Sequence, residues 1–476
     1  MSQVAYADVR SVNRKPAREI IHPADKFSVW QTILAVLPLY LSWSLMSLIG
    51  LVDLSLAGVL GENAQSALGV ADQVLFLMML VTTGLCAGVS TLVCQSWGAG
   101  NLNLVNVYKR DGLQIAFVIG LLAMLAGLAS AESLANIFCV NANAAKQAVD
   151  YIRICSLANL PWAIVQCHGA IFRGIGKAHL STYQWLLIAF IAVTPGVATV
   201  LNIYAFQSLT SLAFAWVLAS IVGAGLGQKM LDRVLPDSDL DRWNIASLTK
   251  HARDIFAVGG PVLIAEVSWL ASNLILYALL VKLPDGAAAQ VAWTVKLKVE
   301  ETIAYAPLLA CGMATAVLVG HQIGANNHKA ARNIASKIAI GSSTAMFLIG
   351  CMTAWVAPYL VTYFINVPSI QSICHQLLVG SVLTFPLNAI TIVLAAVFEG
   401  AGKTLPPMLI HLCSFFVVRV PVAWLLVSYS DAGVFAVWWA KCLSALLAAI
   451  AMIVIYKRIR WNSVILPGQI DQIICR

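Results

Sequence analysis

Asp53 lies in the apolar run SLIGLVDLSLAGVL, with no lysine or arginine within one or two helical turns. A carboxyl held in apolar surroundings can take up and release a proton near neutral pH, because burial penalises its charged form. The competing reading is a carboxyl solvated at the outer membrane interface, since the run continues only a few residues beyond it. Pro38 stands fifteen residues earlier in the same run. A mid-helix proline removes one backbone hydrogen bond and kinks the helix, though membrane helices also tolerate prolines for packing.

A second concentration of charge is WTVKLKVEETIAYAP, where Lys296, Lys298, Glu300 and Glu301 fall within six residues. At the centre of a span each costs about 2.5–3.5 kcal/mol on insertion scales unless paired or facing water. Helical spacing pairs Lys296 with Glu300 and Lys298 with Glu301. The set therefore reads as a hydrated cavity wall that binds substrate or proton, or as a group that neutralises itself. Arg419 and Lys441 are two further charges within apolar runs, expected to snorkel or to meet helix-end carbonyls. Glu266 lies one turn into PVLIAEVSWLASN. Aromatic residues such as Trp43, Trp269, Tyr277, Tyr305 and Phe385 offer faces for flat cationic compounds.

These charges must be positioned by membrane helices. The chain of 476 residues is 60% hydrophobic and 11% charged, with a mean hydropathy of +0.84, whereas soluble domains carry about 25% charged residues. About 20 apolar helical residues cross a bilayer core of about 30 Å. The pattern predicts an all-α integral membrane protein with twelve transmembrane helices, at 29–57, 68–97, 112–134, 148–172, 182–205, 209–229, 257–281, 289–319, 335–357, 371–398, 405–427 and 432–456. The first 28 residues are polar and basic and show no signal-peptide pattern. With the N-terminus placed in the cytoplasm, 22 of the 29 lysines and arginines fall in inside segments and 3 in outside segments. That bias predicts two cytoplasmic termini in a plasma membrane, the bacterial inner membrane. The net charge of +8 follows from topology and gives no reason to expect nucleic acid. The eleven cysteines form no CxxC pair and read as packing residues. The histidines have no metal spacing, so neither a metal nor a catalytic constellation is expected.

FEGAGKT, at 398–404, resembles the end of a phosphate-binding loop, but that loop needs a glycine where Val397 stands. A repeat explains it better. FRGIGK at 172–177 and FEGAGK at 398–403 are 226 residues apart, as are QSWGAGN around Gly98 and HQIGANN around Gly324. Each half thus has a GA turn after its second span and an FxGxGK turn after its fourth. Gly174, Gly176, Gly400 and Gly402 are expected to end helices through positive φ. Six spans per half is an even number, so the halves are parallel repeats related by an axis along the membrane normal, with a cavity between them. The predicted organisation is an N-terminal tail 1–28, an N-lobe 29–229, a charged linker 230–256, a C-lobe 257–456 and a C-terminal tail 457–476.

The stretches LVDLSLAGVLG at 51–61, STLVCQSWGAGN at 90–101, FRGIGKAHLSTYQ at 172–184, ATAVLVGHQIGANN at 314–327 and FEGAGKT resemble multidrug and toxic compound extrusion (MATE) transporters of the MOP flippase superfamily. The likeness covers about 29–458. It implies two six-helix bundles, a central cavity, and export of drug-like compounds driven by entry of H⁺ or Na⁺. It further implies Asp53 as proton switch and Pro38 as the hinge that bends with it. Asn202 matches an asparagine of the fifth helix, but Phe206 replaces the aspartate that completes the archaeal proton site. Glu266 corresponds by region to a functional glutamate of the seventh helix. Asn388 stands where the bacterial branch has an aspartate, which removes a carboxylate from a sodium-linked site and favours H⁺ over Na⁺. The expected protein is a monomeric antiporter for organic, cationic compounds, in contact with membrane lipid and without a cofactor. Two other classes fit less well: a flippase for lipid-linked precursors, which would have a strongly basic cavity or two more helices, and a membrane enzyme, for which no compact acid, base or nucleophile set is present.

Overall fold

The computed structural model describes residues 29–138, 142–200, 208–236, 245–364 and 367–458. The first half comprises α1 (Val29–Leu60), α2 (Glu62–Gly98), α3 (Leu102–Phe138), α4 (Ala142–Ser156), α5 (Asn159–Gly174), α6 (Ala178–Val200) and α7 (Leu209–Val234). The second comprises α8 (Ile245–Leu280), α9 (Gly286–Glu300), α10 (Ala306–Gly324), α11 (His328–Phe364), α12 (Pro368–Val379), α13 (Ser381–Gly400), α14 (Leu405–Leu412), α15 (Val420–Tyr429) and α16 (Val434–Arg458). A π-helical turn, Glu301–Tyr305, joins α9 to α10, and another, Cys413–Arg419, joins α14 to α15. Helices dominate because only they satisfy every backbone group within one segment in lipid. Among the described residues eleven helical spans are long and apolar enough to cross a membrane, and α4 with α5, bent by 51°, gives a twelfth when the pair is taken as one span. Asn202, the linker segment 237–244, the predicted N-terminal tail and residues 459–476 lie outside the described residues. The charged stretch 230–256 is helical at both ends, since α7 runs to Val234 and α8 begins at Ile245.

Each half encloses its own apolar core. Leu85, Val89, Ile171 and Phe172 anchor the first; Leu276, Trp293, Leu377 and Val437 anchor the second. Outside these cores Phe190, Leu348, Trp355 and Tyr359 are exposed, as a belt facing lipid requires.

The four glycine-rich turns share one construction. At α2, α5, α10 and α13 the chain closes with an N–H to C=O bond spanning five residues: Asn101 to Ser96 (3.0 Å), Lys177 to Phe172 (2.8 Å), Asn327 to Gln322 (2.8 Å) and Lys403 to Phe398 (2.8 Å). Such closure needs one residue in the left-handed region. Gly100, Gly176, Asn326 and Gly402 supply it, with φ of 71°, 73°, 58° and 70°. The expectation of positive φ thus holds for Gly176 and Gly402, but Gly174 and Gly400 stay helical. Gly174 and Gly400, with Gly98 and Gly324, instead let chains approach. A Cβ on Gly98 would strike the carbonyl of His321, and one on Gly324 would strike that of Gln95.

That reciprocity runs through the whole contact between the lobes. Gln95 Nε2 donates to the Gly400 carbonyl at 2.8 Å, and His321 Nε2 donates to the Gly174 carbonyl at 2.6 Å. Gln95 and His321, like Gly174 and Gly400, are 226 residues apart. Each lobe therefore reaches into the turn of the other by the same geometry. Thr91 Oγ1 adds a bond to the Glu399 carbonyl at 3.2 Å. Alongside, α2 and α8 touch backbone to backbone at Gly84 and Gly259, and His251 of α8 pairs with the buried Asp111 of α3 at 2.7 Å. We predict that Gly324→Val, which overpacks this seam at about 1–3 kcal/mol, parts the lobes here. Spin labels on Asn103 and Lys329, both exposed on turn-proximal helix starts, should report a longer distance by pulsed electron resonance; an unchanged distribution would contradict the seam.

Candidate functional site

The ends of the lobes away from the glycine turns carry Asp53 and the exposed pair Lys298 and Glu301. Asp53 is half-buried near the end of α1. It interacts electrostatically with Asp72 of α2, and both act on the buried Tyr151 of α4. Asp72 stands in LGVADQVLF, an acid within an apolar run and thus a signal of the same kind as Asp53, which the sequence analysis passed over. Asp72 in turn interacts with Lys298 of α9, in the other lobe. These groups therefore face a shared cleft, and Lys298 and Glu301 on its C-lobe wall are ion-paired at 2.9 Å with 76% and 49% of their side chains exposed.

Pro38 sits within α1, and its carbonyl takes two hydroxyl donors: Ser42 Oγ at 2.9 Å and Thr182 Oγ1 of α6 at 2.8 Å. A serine that bonds back to the carbonyl four residues earlier bends its helix. The proline, the back-bonding serine and the threonine thus gather at one point on α1, about four turns from Asp53 at roughly 3.6 residues per turn.

The C-lobe holds a second charged group, but inside its packing. Lys296 and Glu300 are 0% and 1% exposed, and Lys441 is 5% exposed. Glu300 Oε2 lies 2.9 Å from Lys296 Nζ and 3.0 Å from Lys441 Nζ, while Ser381 donates to Oε1 at 3.2 Å. Both ammoniums lie over the Trp293 ring, at 4.6 and 5.6 Å from its centroid. The reading of the charges 296–301 as one set therefore divides: Lys298 and Glu301 face the cleft, Lys296 and Glu300 face the core. Lys441 and Arg419 do not snorkel. Lys441 completes the buried ion pair, and Arg419, 5% exposed, donates to Ser444 at 2.9 Å and stacks on Phe415. Asn388 donates to the Tyr305 hydroxyl at 3.4 Å.

Glu266 lies elsewhere, half-buried on α8 and in the field of Glu399. Glu399 also interacts with Arg173, its equivalent in the other repeat. Glu266 and Asn388 are thus not brought to Asp53, and Asn202 lies outside the described residues.

The MatE family model matches residues 38–202 and 261–425, one match in each half. A Thermotoga maritima protein called "Probable multidrug resistance protein NorM" is 23% identical over 83% of this chain and 84% of its own length. A Bradyrhizobium diazoefficiens protein with the same description is 26% identical over 88% of this chain and 90% of its own. A solved outward-facing MATE family transporter of the MOP superfamily superposes with a TM-score of 0.84 at 17% identity, covering 94% of this chain and 98% of that one. Two matched halves, a lobe seam built from their shared turns and a charged cleft at the far end agree: the chain belongs to the MatE family, whose members are membrane transporters and not enzymes.

Proposed function

We propose that this protein is a secondary active antiporter that exports organic, cationic, drug-like compounds in exchange for inward H⁺, by alternating access between its two lobes. The observation that carries the reading is the asymmetry of the lobe contact. Gly84, Gln95, Gly174, His321 and Gly400 tie the lobes at one end, whereas Asp53, Asp72 and Lys298 face one another across a cleft at the other. The positive-inside bias assigns the tied end to the cytoplasm, so the conformer is outward-facing. The names of the curated relatives support drug-like cargo, and the carboxylates of Asp53 and Asp72 favour a cation.

Asp53 is the coupling switch in this reading. A proton and a cationic substrate each favour a different conformer, and each therefore weakens the other's hold through linkage. The hydroxyl-rich kink at Pro38 is where α1 can change its bend as Asp53 changes charge. Asn388 supplies an amide where the sodium-linked site of the bacterial branch has a carboxylate; this supports H⁺ over Na⁺, and since amides do not titrate it leaves Asn202 and Asn388 as hydrogen-bonding partners.

Two measurements follow. In proteoliposomes with a set pH gradient and no Na⁺, ethidium should evoke proton movement, and Asp53→Asn should reduce it by roughly 5–150-fold, the range of a coupling free energy of about 1–3 kcal/mol. Flux that requires Na⁺, or that survives the substitution, rejects Asp53 as the switch. Pro38→Ala restores one backbone N–H and straightens α1. It should lower ethidium-evoked proton flux while leaving thermal stability within about 1 kcal/mol of the parent; undiminished flux removes Pro38 from the mechanism.

A further inference from the structure

Two ammoniums share one carboxylate in the C-lobe core. Lys441 donates a hydrogen bond to Glu300 Oε2. Lys296 comes equally near the same oxygen, yet its Nζ has no aligned hydrogen-bond acceptor. A buried ammonium has three donors to satisfy, and leaving a charged donor unsatisfied in low dielectric is costly. The charge count sharpens the point. Lys296 and Lys441 are each no more than 5% exposed and share a single buried carboxylate, Glu300. Loss of one proton from Lys296 leaves Lys441 and Glu300 as a matched pair, without moving any heavy atom. An incoming anion would need space beside a side chain that is fully buried, whereas a departing proton needs none.

The remaining groups around the site do not supply the missing charge. On α9 they are Glu300 itself, from the π turn Glu301 and Tyr305, from α12 Cys374, from the Cys413–Arg419 turn Arg419, and from α16 Lys441 and Cys442. Glu301 is committed to Lys298. Tyr305, which takes a hydrogen bond from Asn388, lies within electrostatic range of Glu300 and Lys441 and brings a hydroxyl but no charge.

The position of the triad on its helix supplies a mechanical link. Lys296 and Glu300 end α9, the π turn follows at once, and α10 then runs to His321 and Gly324 in the lobe seam. π turns inside helices recur at functional sites. One continuous rod thus carries the surplus ammonium near one end and the seam near the other, with a deformable turn between.

We propose that the buried Lys296–Glu300–Lys441 triad is a second proton-exchange site, in which Lys296 gives up and regains a proton during the transport cycle. The inference rests on the antiport reading above and assigns a coupling group in the C-lobe besides Asp53. The proton passes from the Lys296 ammonium to water, and the amine that remains keeps its lone pair, so the step needs no other reactant.

The test uses the full chain in lipid nanodiscs, with spin labels on Asn103 and Lys329, from pH 5 to 9 and without substrate. In the parent the distance distribution should shift with pH in two steps. Lys296→Gln imitates the discharged amine and should hold the distribution that the parent reaches at high pH through one step; Lys296→Arg, permanently charged, should hold the opposite one. A merely structural role would move both variants in the same direction, and that result overturns the proposal. So does a Lys296→Gln profile identical to the parent. If Lys296→Arg fails to fold, Lys441→Gln replaces it: with one ammonium per carboxylate it should abolish the same pH step, and its retention overturns the inference. Asp53→Asn, run in parallel, should remove only the other step. Loss of the Asp53 step with no effect at Lys296 leaves the antiport reading standing and the triad rejected; a parent with no pH response rejects both.

Discussion

The approach of carbonyl and amide across the lobe seam is the constraint on which the rest of the structure depends. Two packed bundles in lipid gain little from burying apolar side chains against each other, since lipid tails are equally apolar. Close backbone contact and hydrogen bonds therefore hold the lobes together. Both require residues without a Cβ at Gly84, Gly98, Gly259 and Gly324. Because Gly98 and Gly324 lie at one end, with Gly84 and Gly259 further along the same seam, the far end is released to form a cleft. The charged side chains there are tolerable because they face that cleft or one another rather than hydrocarbon.

The C-lobe follows a different rule from the cleft. Its ions are withdrawn from any surface, and Trp293 beneath two ammoniums stands in for part of the water they have lost. A buried ion pair is weak evidence for stability, because desolvation offsets the attraction. Lys296, Glu300 and Lys441 are therefore a demanding way to fill a helix crossing that leucine would fill more readily. Their place beside a π turn, in the helix that reaches the seam, gives that arrangement a mechanical setting.

Much of this was legible in the sequence, and what was not has physical reasons. The spans, the repeat and the four turns are local or periodic: a run of apolar residues, a fixed offset of 226, a glycine after a helix. The pairing of Lys298 with Glu301 is local too, since three residues on a helix share a face. The partner of Lys441 is 141 residues away, and no spacing rule spans that distance. Arg419 looked like a snorkelling residue because its long stem permits it, but helix rotation turned it inward to Ser444. Asp72 was passed over although its signal equals that of Asp53. Its importance arises from two helices facing each other, which single-helix reasoning does not weigh. The glycines were assigned the right turns, yet half of them the wrong reason, because close approach is visible only once both lobes are in place.

One feature of the seam bears on how such a molecule came to be a single chain. The two FxGxGK turns differ at one charged position, Arg173 in the first and Glu399 in the second, and these two residues act on each other across the pseudo-symmetry axis. Had the protein been assembled from two copies of its first half, arginine would face arginine there; from two copies of the second, glutamate would face glutamate. Like charges so placed disfavour the wrong partner. At this position the halves are therefore not interchangeable: each presents the charge that suits the other, and a molecule built from two like halves would lose that complementarity.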